Sequence, residues 1–152
     1  MSIRDELSTA LKEALKNKDQ VTMATVRLIM AALKDRDIAA RGNGKEQVEE
    51  NEILSMLQSM IKQRKESAAT YADAGREELA EREQAEIQVI EKFLPQQMSD
   101  AEVDEAISAI ITEVGASNIK DMGKVMGQLK TKYAGQIDMA KAGGLVKEKL
   151  SA

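Results

Sequence analysis

Phe93-Leu-Pro-Gln-Gln-Met-Ser-Asp-Ala-Glu102 is the stretch that divides the chain. Pro95 lacks the N–H an interior helical residue needs, and it disfavours helical backbone at Leu94, so a helix is expected to stop there. Ser99-Asp-Ala-Glu102 then reads as a capping box, with the Ser99 hydroxyl serving the N–H of residue 102 and the Glu102 carboxylate serving the N–H of residue 99. One helix therefore ends near Phe93 and another begins at Ser99. Residues 1–94 are read as an N-terminal helical domain and 95–152 as a C-terminal tail.

Pro95 is the only proline in 152 residues, and aromatic residues make up only 2% of the chain. Ala, Leu, Ile, Glu, Lys, Gln and nine Met dominate instead, and these are helix formers more than strand formers. An all-α fold follows, with an N-terminal bundle of about four helices followed by a small C-terminal three-helix domain. Upstream of Pro95, Ser2 is a cap for a first helix with Ile3, Leu7, Ala10, Leu11, Ala14 and Leu15 on its apolar face, ending near Asn17. Asp19 caps a second helix that runs through Met23, Val26, Met30 and Leu33 to Gly42-Asn-Gly44. The third is read from about Lys45, through Ile53, Leu57, Met60, Ile61, Arg64 and Ala68, to Gly75, and the fourth from Arg76 to about Phe93. Downstream, Val103, Ile107, Ile110, Ile111 and Val114 give one apolar face that ends at Gly115. Asn118 is read as the cap of the next helix, and Asp138 as the cap of a last one through Leu145, Val146 and Leu150.

The tail contains the least ordinary segment, Lys120-Asp-Met-Gly-Lys-Val-Met-Gly-Gln-Leu-Lys-Thr-Lys-Tyr-Ala-Gly135. A glycine inside a helix costs about 0.5–1 kcal/mol relative to alanine, so Gly123 and Gly127, one turn apart, mark a face that something approaches closely. Lys120, Lys124, Lys130 and Lys132 surround them, with Met122, Met126 and Leu129 as an apolar stripe alongside. Two readings fit: a smooth basic surface for RNA phosphates, or tight helix packing within the tail itself. From residue 116 onward seven lysines stand against three acids, whereas residues 77–113 hold eleven acids and two bases. The overall net charge of −4 therefore conceals a basic tail beside an acidic segment.

The chain has no cysteine and no histidine. Thiolate nucleophiles, the commonest general base and the commonest metal ligands are thereby excluded, and the acidic run lacks the alternating ligands of a calcium loop. No Gly-x-Ser-x-Gly elbow and no Gly-x-x-x-x-Gly-Lys-[Ser/Thr] loop is present. No catalytic residue, metal site or cofactor is expected. No run of about 18 apolar residues marks a membrane span, and with the charged start Met1-Ser-Ile-Arg-Asp-Glu6 a cytoplasmic location is expected.

Arg27-Leu-Ile29, Lys62-Gln-Arg-Lys-Glu-Ser67, Ala74-Gly-Arg76 followed by Leu79, Glu83 and Glu86, Phe93-Leu-Pro95, and Met122-Gly-Lys-Val-Met-Gly127 with Lys130 and Gly135 together resemble the GatB/YqeY domain family. These are small stand-alone YqeY-like proteins whose C-terminal module is related to the tail of the B subunit of the tRNA-dependent amidotransferase. The resemblance covers nearly the whole chain. It implies a tRNA-binding tail, with tRNA and an amidotransferase or aminoacyl-tRNA synthetase complex as partners, and it nominally brings carbon–nitrogen ligase activity with glutamine as amido-N-donor. The residues lack the groups for that reaction. The chain also departs from the family pattern after Gly135, where Gln136 replaces a basic residue and removes one expected phosphate contact.

The resulting reading is a non-catalytic tRNA-associated protein that offers Lys120, Gly123, Lys124, Gly127, Lys130 and Lys132 to an RNA backbone. Arg64 lies in the apolar register of its helix and is read as half of a structural ion pair with an acid such as Glu83 or Glu86. The alternatives are a helical protein-binding adaptor using Met56 and Met60 as adaptable contacts, or an accessory of a carbon–nitrogen ligase complex.

Overall fold

In the computed structural model, which describes residues 1–151, Ser2 opens the first helix with its hydroxyl accepting from the Asp5 N–H at 3.1 Å. The Asp5 carboxylate returns the contact to the Ser2 N–H, so the short polar pair satisfies donors that the helix start would otherwise leave exposed. This helix, α1, covers Ile3–Asn17, and Lys18 closes it with a left-handed backbone (φ 54°). Asp19 caps α2, Gln20–Gly42, by accepting from the Thr22 N–H at 3.1 Å. The helices α3, Glu50–Asp73, and α4, Glu77–Glu91, follow, separated at Gly75, whose φ of 74° a side chain would resist. All elements among the described residues are helical.

Residues 1–94 form one compact unit. Ile3 and Leu7 of α1, Val26, Ile29 and Leu33 of α2, Ile53, Met56, Leu57 and Ile61 of α3, and Ile87 and Ile90 of α4 share its core, with Phe93. Leu15, expected on the apolar face of the first helix, is instead 49% exposed, while its neighbour Ala14 is buried, because at 100° per residue Leu15 falls well round the helix from Ile3, Leu7 and Ala14.

The third helix starts five residues later than its composition suggests. Lys45–Glu49 would suit a helix, yet Val48 is buried, its N–H donates to Asp37 Oδ1 at 2.9 Å and its carbonyl accepts from Arg4 Nη2 at 3.2 Å. Those bonds pull the backbone off the helical path until Glu49, whose extended conformation (ψ 162°) precedes α3. Arg4 also holds Asp37 through two 2.8 Å bonds. The guanidinium keeps the Asp37 carboxyl well below its usual range, at about 2, with the Val48 N–H adding to the effect.

The second compact unit begins at Pro95. Ser99 and Glu102 form the capping box of α5, Asp100–Val114, which ends at Gly115 in a left-handed conformation (φ 68°). Next come a 3₁₀ turn at Ile119–Asp121, then α6, Met122–Lys132, and α7, Met139–Ser151. Val103, Ile107 and Ile110 of α5 pack with Val125 and Leu129 of α6 and with Ala142, Val146 and Leu150 of α7. Asn118 caps the 3₁₀ turn rather than α6, its side chain accepting from the Lys120 N–H at 2.9 Å. An asparagine carbonyl reaches the donor two residues on and so tightens the turn before the wider helix can begin.

Candidate nucleic-acid interface

The entry to α6 is held by local hydrogen bonds. Asp121 accepts from the Ser117 N–H at 3.0 Å, and that bond lowers its carboxyl pKa, helped by the Asn118 backbone and by the nearby Lys124 charge. Within α6, Val125 and Leu129 are fully buried and fix which side faces the core. Each such side chain contributes about 1.5–3 kcal/mol of burial, enough to set the rotation of a short helix. Met122 and Met126 lie beside them, and their terminal methyl carbons rest 3.8 Å from where a Cβ on Gly143 of α7 would sit. Val125, the centre of this seat, carries more of the packing than the methionine stripe read from the sequence.

Gly123 and Gly127 point the other way. Both are exposed, and a Cβ built on either meets nothing within 4 Å. Packing inside this unit therefore does not explain them; the small residues that face α6 from α7 are Ala142, fully buried, and Gly143. Lys124, Lys130 and Thr131 share the exposed side, and the Thr131 hydroxyl is turned back onto the Gly127 carbonyl at 2.9 Å. The result is an open strip of backbone bordered by two ammonium groups.

The lysines do not form a single group. Lys120 lies in the 3₁₀ turn, before α6 starts, and is exposed. Lys132 reaches to α5, where its Nζ donates to Glu113 Oε2 at 2.8 Å, which raises its pKa. Lys149 bonds Asp104 at 2.9 Å and Lys141 stands 4.0 Å from Asp100, so the acids of α5 engage three of the tail's lysines. Lys120, Lys124 and Lys130 make no ion pair among the described residues. Lys147 of α7 is exposed and makes none either, so three of the tail's four lysines without an ion pair among the described residues are those beside the glycines. Neither the acidic partners on α5 nor this sorting of lysines was legible from local spacing, because the pairs join residues 19 to 45 positions apart, 19 in the case of Lys132 and Glu113.

The far end of the strip is also held. Gly135 adopts φ 75°, its carbonyl accepts from Gln97 Nε2 at 2.6 Å, and the Gln136 carbonyl accepts from the Met98 N–H at 3.0 Å. Ile137, which the spacing did not mark as a core residue, is buried.

In the first unit, Arg64 Nε donates to Glu86 Oε2 at 2.9 Å and its Nη1 to the Met60 carbonyl at 3.2 Å. Their side chains are 14% and 16% exposed, so the pair pins α3 to α4 away from bulk water. Glu83 is half-buried and takes no part in it. Met56 is only 2% exposed and Met60 9%, which removes both from any surface on which an adaptor could use them.

An all-helical chain with a basic, glycine-bearing helix in its second unit defines the class, and comparison with known proteins supplies the family. The model of the Yqey-like protein family matches residues 4–150, and the chain belongs to that family. It is similar to the protein named altered inheritance of mitochondria protein 41, mitochondrial, from Lachancea thermotolerans, at 33% identity over 74% of this chain and 59% of that protein. The proteins of the same name from Meyerozyma guilliermondii (33% identity, 81% of this chain and 64% of that one) and Saccharomyces cerevisiae (27%, 80% and 67%) are also similar. The chain thus spans about three fifths to two thirds of the length of these relatives. No helix among the described residues is long and apolar enough to cross a membrane.

Proposed function

We propose that the outer face of α6 binds the phosphate backbone of RNA, and that the chain acts as a non-catalytic tRNA-associated protein. The observation that carries this reading is the open space over Gly123 and Gly127 next to lysines that make no ion pair among the described residues. Bare helical backbone lets a phosphate come closer than any side chain would allow, and ammonium groups on either side neutralise it. Lys124 and Lys130 are the central contacts and Lys120 an outer one, while Lys132 must first leave Glu113 and contributes least. Such contacts carry little base information, so affinity is expected to depend on salt more than on sequence. That the RNA is tRNA, and that an amidotransferase or aminoacyl-tRNA synthetase complex is the setting, rests on the relationship of the tail to the amidotransferase B subunit. The compartment we propose is the cytoplasm; imaging a tagged chain in mitochondria, the location printed in the relatives' names, would overturn that part.

The test is a titration of bulk tRNA against the purified protein at two salt concentrations. Three lysine contacts give a log–log slope of roughly 2 to 3. Lys124→Glu and Lys130→Glu should each lower affinity at least tenfold at low salt. Binding that is absent at low salt, or indifferent to both reversals, contradicts the proposal.

A further inference from the structure

Outside the tail, the most unexpected surface belongs to α2. Its inner side is fully used by Val26, Ile29, Leu33 and Ala40, all buried. On the opposite side Val21, Ala24, Leu28, Ala31, Asp35 and Ile38 recur at steps of 3, 4, 3, 4 and 3, and every one is exposed. Val21, Leu28 and Ile38 are 47%, 48% and 52% exposed. The fold gains nothing from this second apolar line. A repeat of 3.5 residues is the spacing that keeps one helix in register with another along a seam, here about 26 Å long. Val21 and Leu28 alternate with Ala24 and Ala31, so large side chains stand beside small ones that let a neighbouring backbone come close.

We propose that this seam docks an acidic amphipathic helix from a partner protein. The charge beside it decides the occupant. Arg27, Lys34 and Arg41 follow one another at seven-residue steps along one flank, and all are exposed. Arg27 and Lys34 make no ion pair among the described residues, and Arg41 donates only to the Glu46 carbonyl at 3.3 Å. On the other side Thr25 is buried and Ala32 half-buried against the core, Ala39 is exposed, and none of the three carries a charge. A second copy is a poor occupant: antiparallel pairing sets these cations against their own copies, and parallel pairing sets them against the uncharged flank. Glutamates on the facing flank of a partner helix would complement them. Asp35, the one charge within the seam, fixes register by calling for a single basic residue opposite, as one polar seam position does in coiled coils. A membrane surface needs neither the 3.5-residue repeat nor an acid in line with the apolar residues.

The probe is a fluorescent three-heptad peptide, stapled so that it is helical before binding, with Leu and Ala along its seam, Glu on both flanks and one Lys opposite Asp35. A control peptide carries Lys on the flanks. The full chain should bind the Glu peptide at least tenfold more tightly than the control, and Leu28→Glu should lower that affinity at least tenfold without changing the thermal melt. Arg27→Glu with Lys34→Glu should reverse the preference between the peptides. Failure to bind, equal binding of both peptides, or indifference to Leu28→Glu overturns the proposal. Self-association, or binding to phosphatidylglycerol vesicles, that Leu28→Glu abolishes in place of peptide binding overturns it too, by assigning the face to a second copy or to a membrane.

Discussion

The two compact units use charge in opposite ways. In residues 1–94 the close arginine pairs are sheltered: Arg4 holds Asp37 with two 2.8 Å bonds and Arg64 holds Glu86 at 2.9 Å, each tying elements distant in sequence. In the second unit the pairs Lys132–Glu113 and Lys141–Asp100 lie largely in solvent, Lys149–Asp104 is only partly sheltered, and three further lysines by Gly123 and Gly127 make no ion pair among the described residues. A sheltered arginine fork fixes architecture, because removing one partner strands the other's charge; exposed lysines fix almost nothing and remain available to a ligand. The contrast teaches that the first unit is charged for its own stability and the tail for its surface.

The largest effects that could break this comparison are in the first unit. Arg64→Ala or Asp37→Ala should destabilise it by about 3 kcal/mol, read by chemical denaturation, since each leaves a sheltered charge without its partner. A loss below about 1 kcal/mol for both would place these pairs with the exposed ones. Acid sharpens the same point. The Asp37 carboxyl is held down to about 2, below its ordinary value of 3.8, so its stabilisation is fully present above pH 4 and disappears as pH falls towards 2. A denaturation series across that window should show a loss of stability that is missing in Asp37→Asn.

Smaller effects belong to the tail. Gly123→Ala and Gly127→Ala should each stabilise it by about 0.5–1 kcal/mol, because a methyl group at either position meets open space and improves helix propensity. A loss of stability would mean that the space is filled in solution. Lys132→Ala or Glu113→Ala should leave the thermal melt nearly unchanged, since both side chains are substantially exposed, at 42% and 60%.

Much of the helical fold could be read from local chemistry. Ser2, Asp19 and Ser99 cap helices as their side chains predict, and Gly75 and Gly115 end them with positive φ. Capping is decided within three or four residues, so a sequence displays it directly. Lys45–Glu49 misled because its bonds come from Arg4 and Asp37, 44 and 11 residues away from Val48, and no periodicity records them. In the candidate site, the glycines were conspicuous from composition alone, yet whether they served packing or an open face depended on which way Val125 and Leu129 turned α6. The same rotation separates Lys132 from Lys124 and Lys130. Sequence spacing placed four lysines near the glycines; the acid on α5 takes one of them away.

The central claim, that the tail gives up helix stability to keep its backbone open to RNA, is tested most directly on Gly123→Ala/Gly127→Ala, with its thermal melt and its tRNA affinity measured on the same sample. A higher melting temperature together with binding weakened at least fivefold is expected, all four lysines being intact. A higher melting temperature with unchanged tRNA affinity would contradict it.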